Sequence, residues 1–208
     1  MSFMPRAGFR DTTVTEIKKS RFLTTVARTD DEAEARTLIA SVRSMYPDAR
    51  HHCVAFVVDD DGQRQSRSSD DGEPAGTAGI PMLNALIGAD LINITAVVTR
   101  YFGGIKLGAG GLTRAYGGCV SSAVAAIPRV EAQRRAVWSL NLPLAETGRI
   151  QEELLRGGAT ILRSQYDETG QHLSLTFPAD LTATMARISQ GRIMPIRDGD
   201  TVVEVPVD

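Results

Sequence analysis

Between Leu91 and Ala123 the hydrophobic period of the chain switches from that of a strand to that of a helix, across a glycine-rich bend. Leu91 to Thr99 is β-branched and apolar on both faces, the pattern of a strand buried within a sheet. Leu112, Ala115, Tyr116, Cys119, Val120 and Ala123 then recur at the spacing of one helical face. Between them runs RYFGGIKLGAGGLTRAY, Arg100 to Tyr116, with Gly103, Gly104, Gly108, Gly110 and Gly111. A helix starting near Gly111 aims unpaired N–H groups and a partial positive charge back at that bend. Arg100, Lys106 and Arg114 add formal charge, and Tyr101 and Phe102 supply flat rings. This is the layout of an anion- or nucleic-acid-binding corner. It is neither a P-loop, since Leu107 follows Lys106, nor a dinucleotide fingerprint. The plain alternative is a glycine-rich connection that lets a helix pack closely on its sheet.

The rest of the chain builds outward from this stretch. Residues 1–11 read as a loosely held terminus. Thr12 to Lys18 and Arg21 to Ala27 read as a hairpin turning at Lys19–Ser20. Thr29-Asp-Asp-Glu32 is a capping-box pattern opening a helix with Ala35, Leu38, Ile39, Val42 and Met45 on its inner face. His51 to Val58 is a central strand, with His51, Cys53, Ala55 and Val57 on one face and His52, Val54, Phe56 and Val58 on the other. Asp59 to Gly79 is too polar to build a core and reads as a long surface loop. Thr77 is expected to cap a short helix with Ile80, Leu83 and Ile87 inward. After Pro128 the order is β-α-β-β-α-β: 134–142, 145–156, 159–166, 171–177, 179–190 and 201–207. His172 stands alone on its strand.

Composition narrows the function classes. With 42% hydrophobic and 23% charged residues the chain is not a disordered one. A net charge of −2 excludes a bulk-basic nucleic-acid domain and leaves only a local patch. Cys53 and Cys119 form no C-x-x-C, so neither a disulfide framework nor a zinc motif is expected. No signal-peptide core and no run of membrane-spanning length is visible, so the protein is expected to be cytoplasmic, with no membrane partner. Asp70, Asp71 and Glu73 can in principle hold Mg²⁺, with His51 or His52 as base. No complete ligand set can be named, so no cofactor and no metal site are assigned.

Four ordered blocks carry a family resemblance: EIKKSRF (Glu16 to Phe22), HHCVAF (His51 to Phe56), DDGEPAGTAG (Asp70 to Gly79) and GIPMLNALIGADLINITAVVTRYFGGIKLG (Gly79 to Gly108). Together they resemble the YigZ/IMPACT family over nearly the whole chain. The resemblance implies an α+β protein of two domains. Residues 1–132 would form an α/β sandwich like the second domain of ribosomal protein S-five. Residues 133–208 would form a ferredoxin-like βαββαβ domain similar to those of elongation factor G. Eukaryotic relatives regulate translation by interfering with activation of a kinase of initiation factor two, through an N-terminal domain with no counterpart in this sequence. Glu16, Lys18, Arg21, His51, His52, Asp70, Asp71 and Glu73 match the family's polar positions.

The expected function is therefore a non-catalytic, translation-associated regulator binding RNA, the ribosome or a translation-linked protein through residues 100–116. The alternative is an enzyme or binding protein for a phosphorylated small molecule, Mg²⁺-dependent in one version.

Overall fold

A computed structural model describes residues 3–60 and 63–207. The chain forms two compact units, one built on the chain up to Glu131 and rejoined from Glu204, the other Ala132–Val203.

The first unit is an antiparallel sheet covered on both faces. Its strands are β1 (Met4–Pro5), β2 (Arg10–Ile17), β3 (Ser20–Arg28), β4 (His51–Asp60), β5 (Gln63–Ser69) and β6 (Ile94–Tyr101). Its helices are α1 (Glu32–Met45), α2 (Gly79–Gly88) and α3 (Ala109–Ala125). The five-stranded sheet runs β2-β3-β6-β4-β5, which places the apolar β6 at its centre. Alternation along the strands divides the core. Val54, Phe56, Val58, Ala27 and Val97 pack under Ala35, Leu38 and Val42 of α1. Phe22, Cys53, Ala55, Ala96 and Val98 pack under Met82 and Leu86 of α2 and the whole expected face of α3. Each buried leucine- or phenylalanine-sized side chain stabilises the fold by about 1.5–3 kcal/mol through area removed from water.

Several local expectations are corrected. The β2–β3 hairpin turns at Lys18–Lys19, both at positive φ (47° and 65°), and Ser20 already opens β3. Two left-handed residues match the twist of a tight hairpin. The segment 1–11 is not loose throughout: Met4–Pro5 pairs with Arg129–Val130, and Arg10 and Asp11 pair with β3. The cap of α1 is Asp31, accepting from Glu34 N, while the Thr29 hydroxyl is buried against that of Thr95. On the same helix Met45 is exposed. The 59–79 segment is not one long loop: residues 63–69 form β5, which pairs along β4 as a polar edge strand, and among the described residues the loop is confined to 70–78. In α2 the fully buried residues are Gly79, Met82 and Leu86; Leu83 packs against that core half-buried, as expected, while Ile80 and Ile87 are about half exposed (50% and 48%).

The second unit contains most of β7 (Arg129–Leu142), then α4 (Thr147–Arg156), β8 (Thr160–Asp167), β9 (Gly170–Thr176), α5 (Leu181–Ile188) and most of β10 (Ile196–Pro206). The strands lie in the order β10-β7-β9-β8. Leu140, Leu142, Leu173 and Leu175 of the sheet pack on Ile150 and Leu154 of α4 and Leu181 and Met185 of α5. His172 is not isolated. Its ring nitrogens lie 2.7 Å from Asp167 Oδ2 and 2.7 Å from Asn141 Oδ1. Thr169 hydrogen bonds and the His172 ring hold the Asp167 carboxyl down at about 2.

Candidate functional site: a basic corner over a buried polar clamp

Three strands and a helix meet where β6 ends. Arg100 pairs in register with Phe22 on one side and His51 on the other, and Tyr101 with Arg21. The chain then crosses residues 102–108 and enters α3. Gly108, at φ 72°, is the N-cap and brings no side-chain cap, and the first turn holds no acid. The first helical bond runs from Leu112 N to Gly108 O. The amides of Ala109, Gly110 and Gly111 therefore have no intrahelical acceptor, as at any helix start. Gly104 and Gly110 are exposed on the same corner, and Gly111 is half-buried.

Arg100 is not one of the outward cations of this corner. It continues the row Ala96, Val98 on the face that α2 and α3 cover, and it retains 7% of its exposure. Its guanidinium donates to Glu73 Oε1 at 2.7 Å and to Ser20 Oγ at 3.3 Å. It lies over the rings of Phe22 (5.4 Å) and Phe102 (5.7 Å). Tyr116 donates its hydroxyl proton to the same Glu73 oxygen at 2.8 Å. Burial pushes the Tyr116 hydroxyl far above its ordinary range, and the Cys53 thiol beside it up to about 12. Neither is a nucleophile at neutral pH.

The acidic motif is a clamp. Asp70 accepts from the amides of Gly76 (2.8 Å), Ala78 (2.9 Å) and Gly79 (2.8 Å), so it caps α2 from nine residues upstream. Thr77, expected in that role, instead donates its hydroxyl to Pro74 O. Burial pushes the Asp70 carboxyl up, but the bonds from Gly76, Gly79 and Ala78 outweigh it and hold the group below the usual range. Asp71 accepts from His52 N and from Arg43, both at 2.7 Å. His51 Nδ1 donates to the Asp71 carbonyl at 2.9 Å. The oxygens of Asp70 and Asp71 are thus engaged within the protein. Among the described residues no group of three or more His, Cys, Asp or Glu is placed to hold a metal ion.

His52 is buried, with Nδ1 3.0 Å from the Thr99 hydroxyl. Burial lowers its pKa below 6.5, against the pull of Asp71. The unfolded chain therefore binds this proton more readily than the folded one, and stability is lost as the pH falls through 6.5. Urea midpoints measured between pH 7.5 and 5 should decline, and His52→Asn should flatten that decline. An unaltered pH profile in the variant would contradict the assignment.

The residues that face outward are basic. Lys18, Lys19, Arg21, Lys106 and Arg114 are exposed, as is Glu16 opposite Arg21 in the hairpin. Lys18, Lys19, Lys106 and Arg114 take part in none of the ion pairs among the described residues. Arg21 sits over the Tyr101 ring at 5.6 Å. Lys18 and Arg114 wall a groove of about 240 Å³ with Ile17, Leu107, Gly111 and Ala115. In sequence Lys18 stands far from the glycine-rich corner. What joins it to Arg114 is steric: Gly103 packs directly on the Lys19 backbone, which seats the hairpin turn beside α3.

This geometry, a sheet with a glycine-rich entry to α3 and an acidic clamp beneath it, falls in the part of the chain that matches a known domain. Residues 18–124 match the Impact N-terminal domain. The chain is 42% identical to IMPACT family member YigZ of Escherichia coli (strain K12) over 187 residues, 88% of this chain and 91% of that protein. It is 41% identical to IMPACT family member YvyE of Bacillus subtilis (strain 168) over 152 residues, 73% and 70% of the two chains. A crystal structure of a hypothetical protein superposes with a TM-score of 0.60 at 40% identity, covering 94% of this chain and 96% of that one. The chain belongs to the IMPACT family.

No helix among the described residues is long and apolar enough to cross a membrane.

Proposed function

We propose that the chain is a non-catalytic regulatory protein of translation that contacts single-stranded RNA through the corner between the β2–β3 turn and α3. The observation that carries this reading is the uncompensated charge of Lys18, Lys106 and Arg114 around a helix start with no acid in its first turn. Such an arrangement favours phosphate through both formal charge and free amides. The first unit is read as the S-five-like domain and the second as the ferredoxin-like one, two folds that recur in proteins touching RNA or the ribosome. Membership of the IMPACT family makes translation the expected setting. The net charge of −2 is compatible because only one local face is basic.

The test is the salt dependence of RNA binding. Fluorescence anisotropy of a labelled single strand should show affinity falling with salt. Replacing Lys18, Lys106 and Arg114 with alanine should flatten the log–log slope by about 2, since each neutralised phosphate of a single strand adds roughly 0.7 to it. Arg100 is left intact because it is buried in the clamp. A slope identical to wild type would remove this face from consideration.

A further inference from the structure

The two outer strands of the first unit's sheet are guarded differently. β5, at one edge, carries Arg64 and Arg67 along its length. β2, at the other, reads RDTTVTEI from Arg10 to Ile17, with charge only toward its ends and no proline. It pairs with β3 residue for residue, without a bulge. Among the described residues no strand takes its outer edge. A continuous, β-branched edge of this kind is a template for another strand.

The hairpin decides which backbone groups of β2 point outward. Ile17 and Ser20 flank the two-residue turn, so they exchange both backbone bonds, and every second residue back along β2 does the same with β3. Arg28 N donates to Phe9 O at 2.9 Å, which continues that odd-numbered series. The N–H and C=O groups of Arg10, Thr12, Val14 and Glu16 therefore face away from β3. Among the described residues no backbone bond outside the strands uses them. Val14 is also 61% exposed.

We propose that β2 pairs antiparallel with β2 of a second copy of this chain, around a two-fold axis at Thr13, so that two sheets join into one. The proposal is independent of the RNA reading. This register sets Arg10 opposite Glu16 and Thr12 opposite Val14, each twice. Every outward backbone group of the strand is then engaged, in about eight new hydrogen bonds, two for each narrow pair. Opposite charges meet at both ends of the junction, and Val14 gains a neighbouring strand. Sliding the strands either way is worse. With the axis at Val14, Arg10 falls opposite Lys18 of the turn. With the axis at Thr12, Glu16 falls opposite Gly8, beyond the strand. The helices leave room for the join. α3 packs chiefly over β3, so its two copies would stand three strand spacings apart. That is about 14 Å, wider than the roughly 10 Å between packed helices.

The test is sedimentation velocity of the full chain between about 5 and about 500 μM, the range suited to a small interface. Wild type should pass from monomer to dimer. Arg10→Glu and Glu16→Arg each set like charges opposite one another twice, and each alone should weaken the dimer about tenfold. An equimolar mixture of the two variants restores both opposite-charge pairs and should associate like wild type. Val14→Pro removes an outward N–H that β3 does not use. Its circular dichroism should match wild type while its dimer is lost. The mixture tests the same register with no change to the backbone. A chain monomeric at every concentration would overturn the proposal and leave the edge to a strand from another protein. A mixture no better associated than its components would overturn it, as would a dimer that Val14→Pro leaves intact.

Discussion

Glu73→Ala should destabilise the protein by about 3–5 kcal/mol, the cost of leaving a buried partner charge uncompensated. The carboxylate accepts from both the Arg100 guanidinium and the Tyr116 hydroxyl, at 2.7 and 2.8 Å, and is the one anionic partner of Arg100 among the described residues. Its removal leaves a cation buried between Phe22 and Phe102. Water entering the space left by the side chain can recover part of the loss, but not the charge pairing. The double variant Glu73→Ala with Arg100→Met should be more stable than Glu73→Ala alone, because the stranded charge goes with it. Urea unfolding of the two single variants and the double measures this coupling directly. A cost below about 1 kcal/mol for Glu73→Ala, typical of an exposed pair, would show that the clamp is open to solvent.

Gly103→Ala should be comparably severe, for a steric reason. A Cβ on Gly103 would lie 1.9 Å from the carbonyl carbon and oxygen of Lys19 and 2.4 Å from Ser20 N. These are backbone atoms of a hairpin turn already at positive φ, so they have no rotamer by which to yield. The loop must lift from the turn, and with it goes the bond from Gly103 N to Ser20 Oγ. The expected loss is about 3 kcal/mol, the upper end of overpacking costs. Gly104→Ala is the control. Its Cβ meets nothing within 4 Å, and only the φ of 84° is unfavourable. That variant should lose about 1–2 kcal/mol. Hydrogen exchange at Lys19 and Ser20 should accelerate in Gly103→Ala and stay near wild type in Gly104→Ala. Equal exchange and equal unfolding midpoints would mean that the loop and hairpin do not touch.

What could be read ahead of the structure was whatever depended on period. All six residues expected on the inner face of α3 are buried, and the two faces of β4 divide between the two cores as alternation requires. The order of elements after Pro128 also follows from period alone. The misses share a different cause. β5, QRQSRSS, is an edge strand held by backbone pairing to β4, so it carries no apolar alternation to announce it. α2 is apolar almost all round, so nothing in GIPMLNALIG tells its inner face from its outer one. Arg100 reads as a free cation in sequence because its partner Glu73 lies in a loop 27 residues away, joined to it only by the fold. Asp70 and Asp71 read as available ligands for the same reason. Their acceptors serve amides and an arginine that sequence spacing does not connect. The motif thus divides in two: its acidic and central residues hold the corner together, and its peripheral lysines and arginines face outward.

Ultraviolet cross-linking of wild-type protein to a bound single-stranded RNA, followed by peptide mapping, tests that division most directly. Adducts on Tyr101 or Phe102 and on peptides spanning 17–21 and 102–115 are the predicted result. Adducts confined to Ala132–Val203, at saturating RNA, would contradict it.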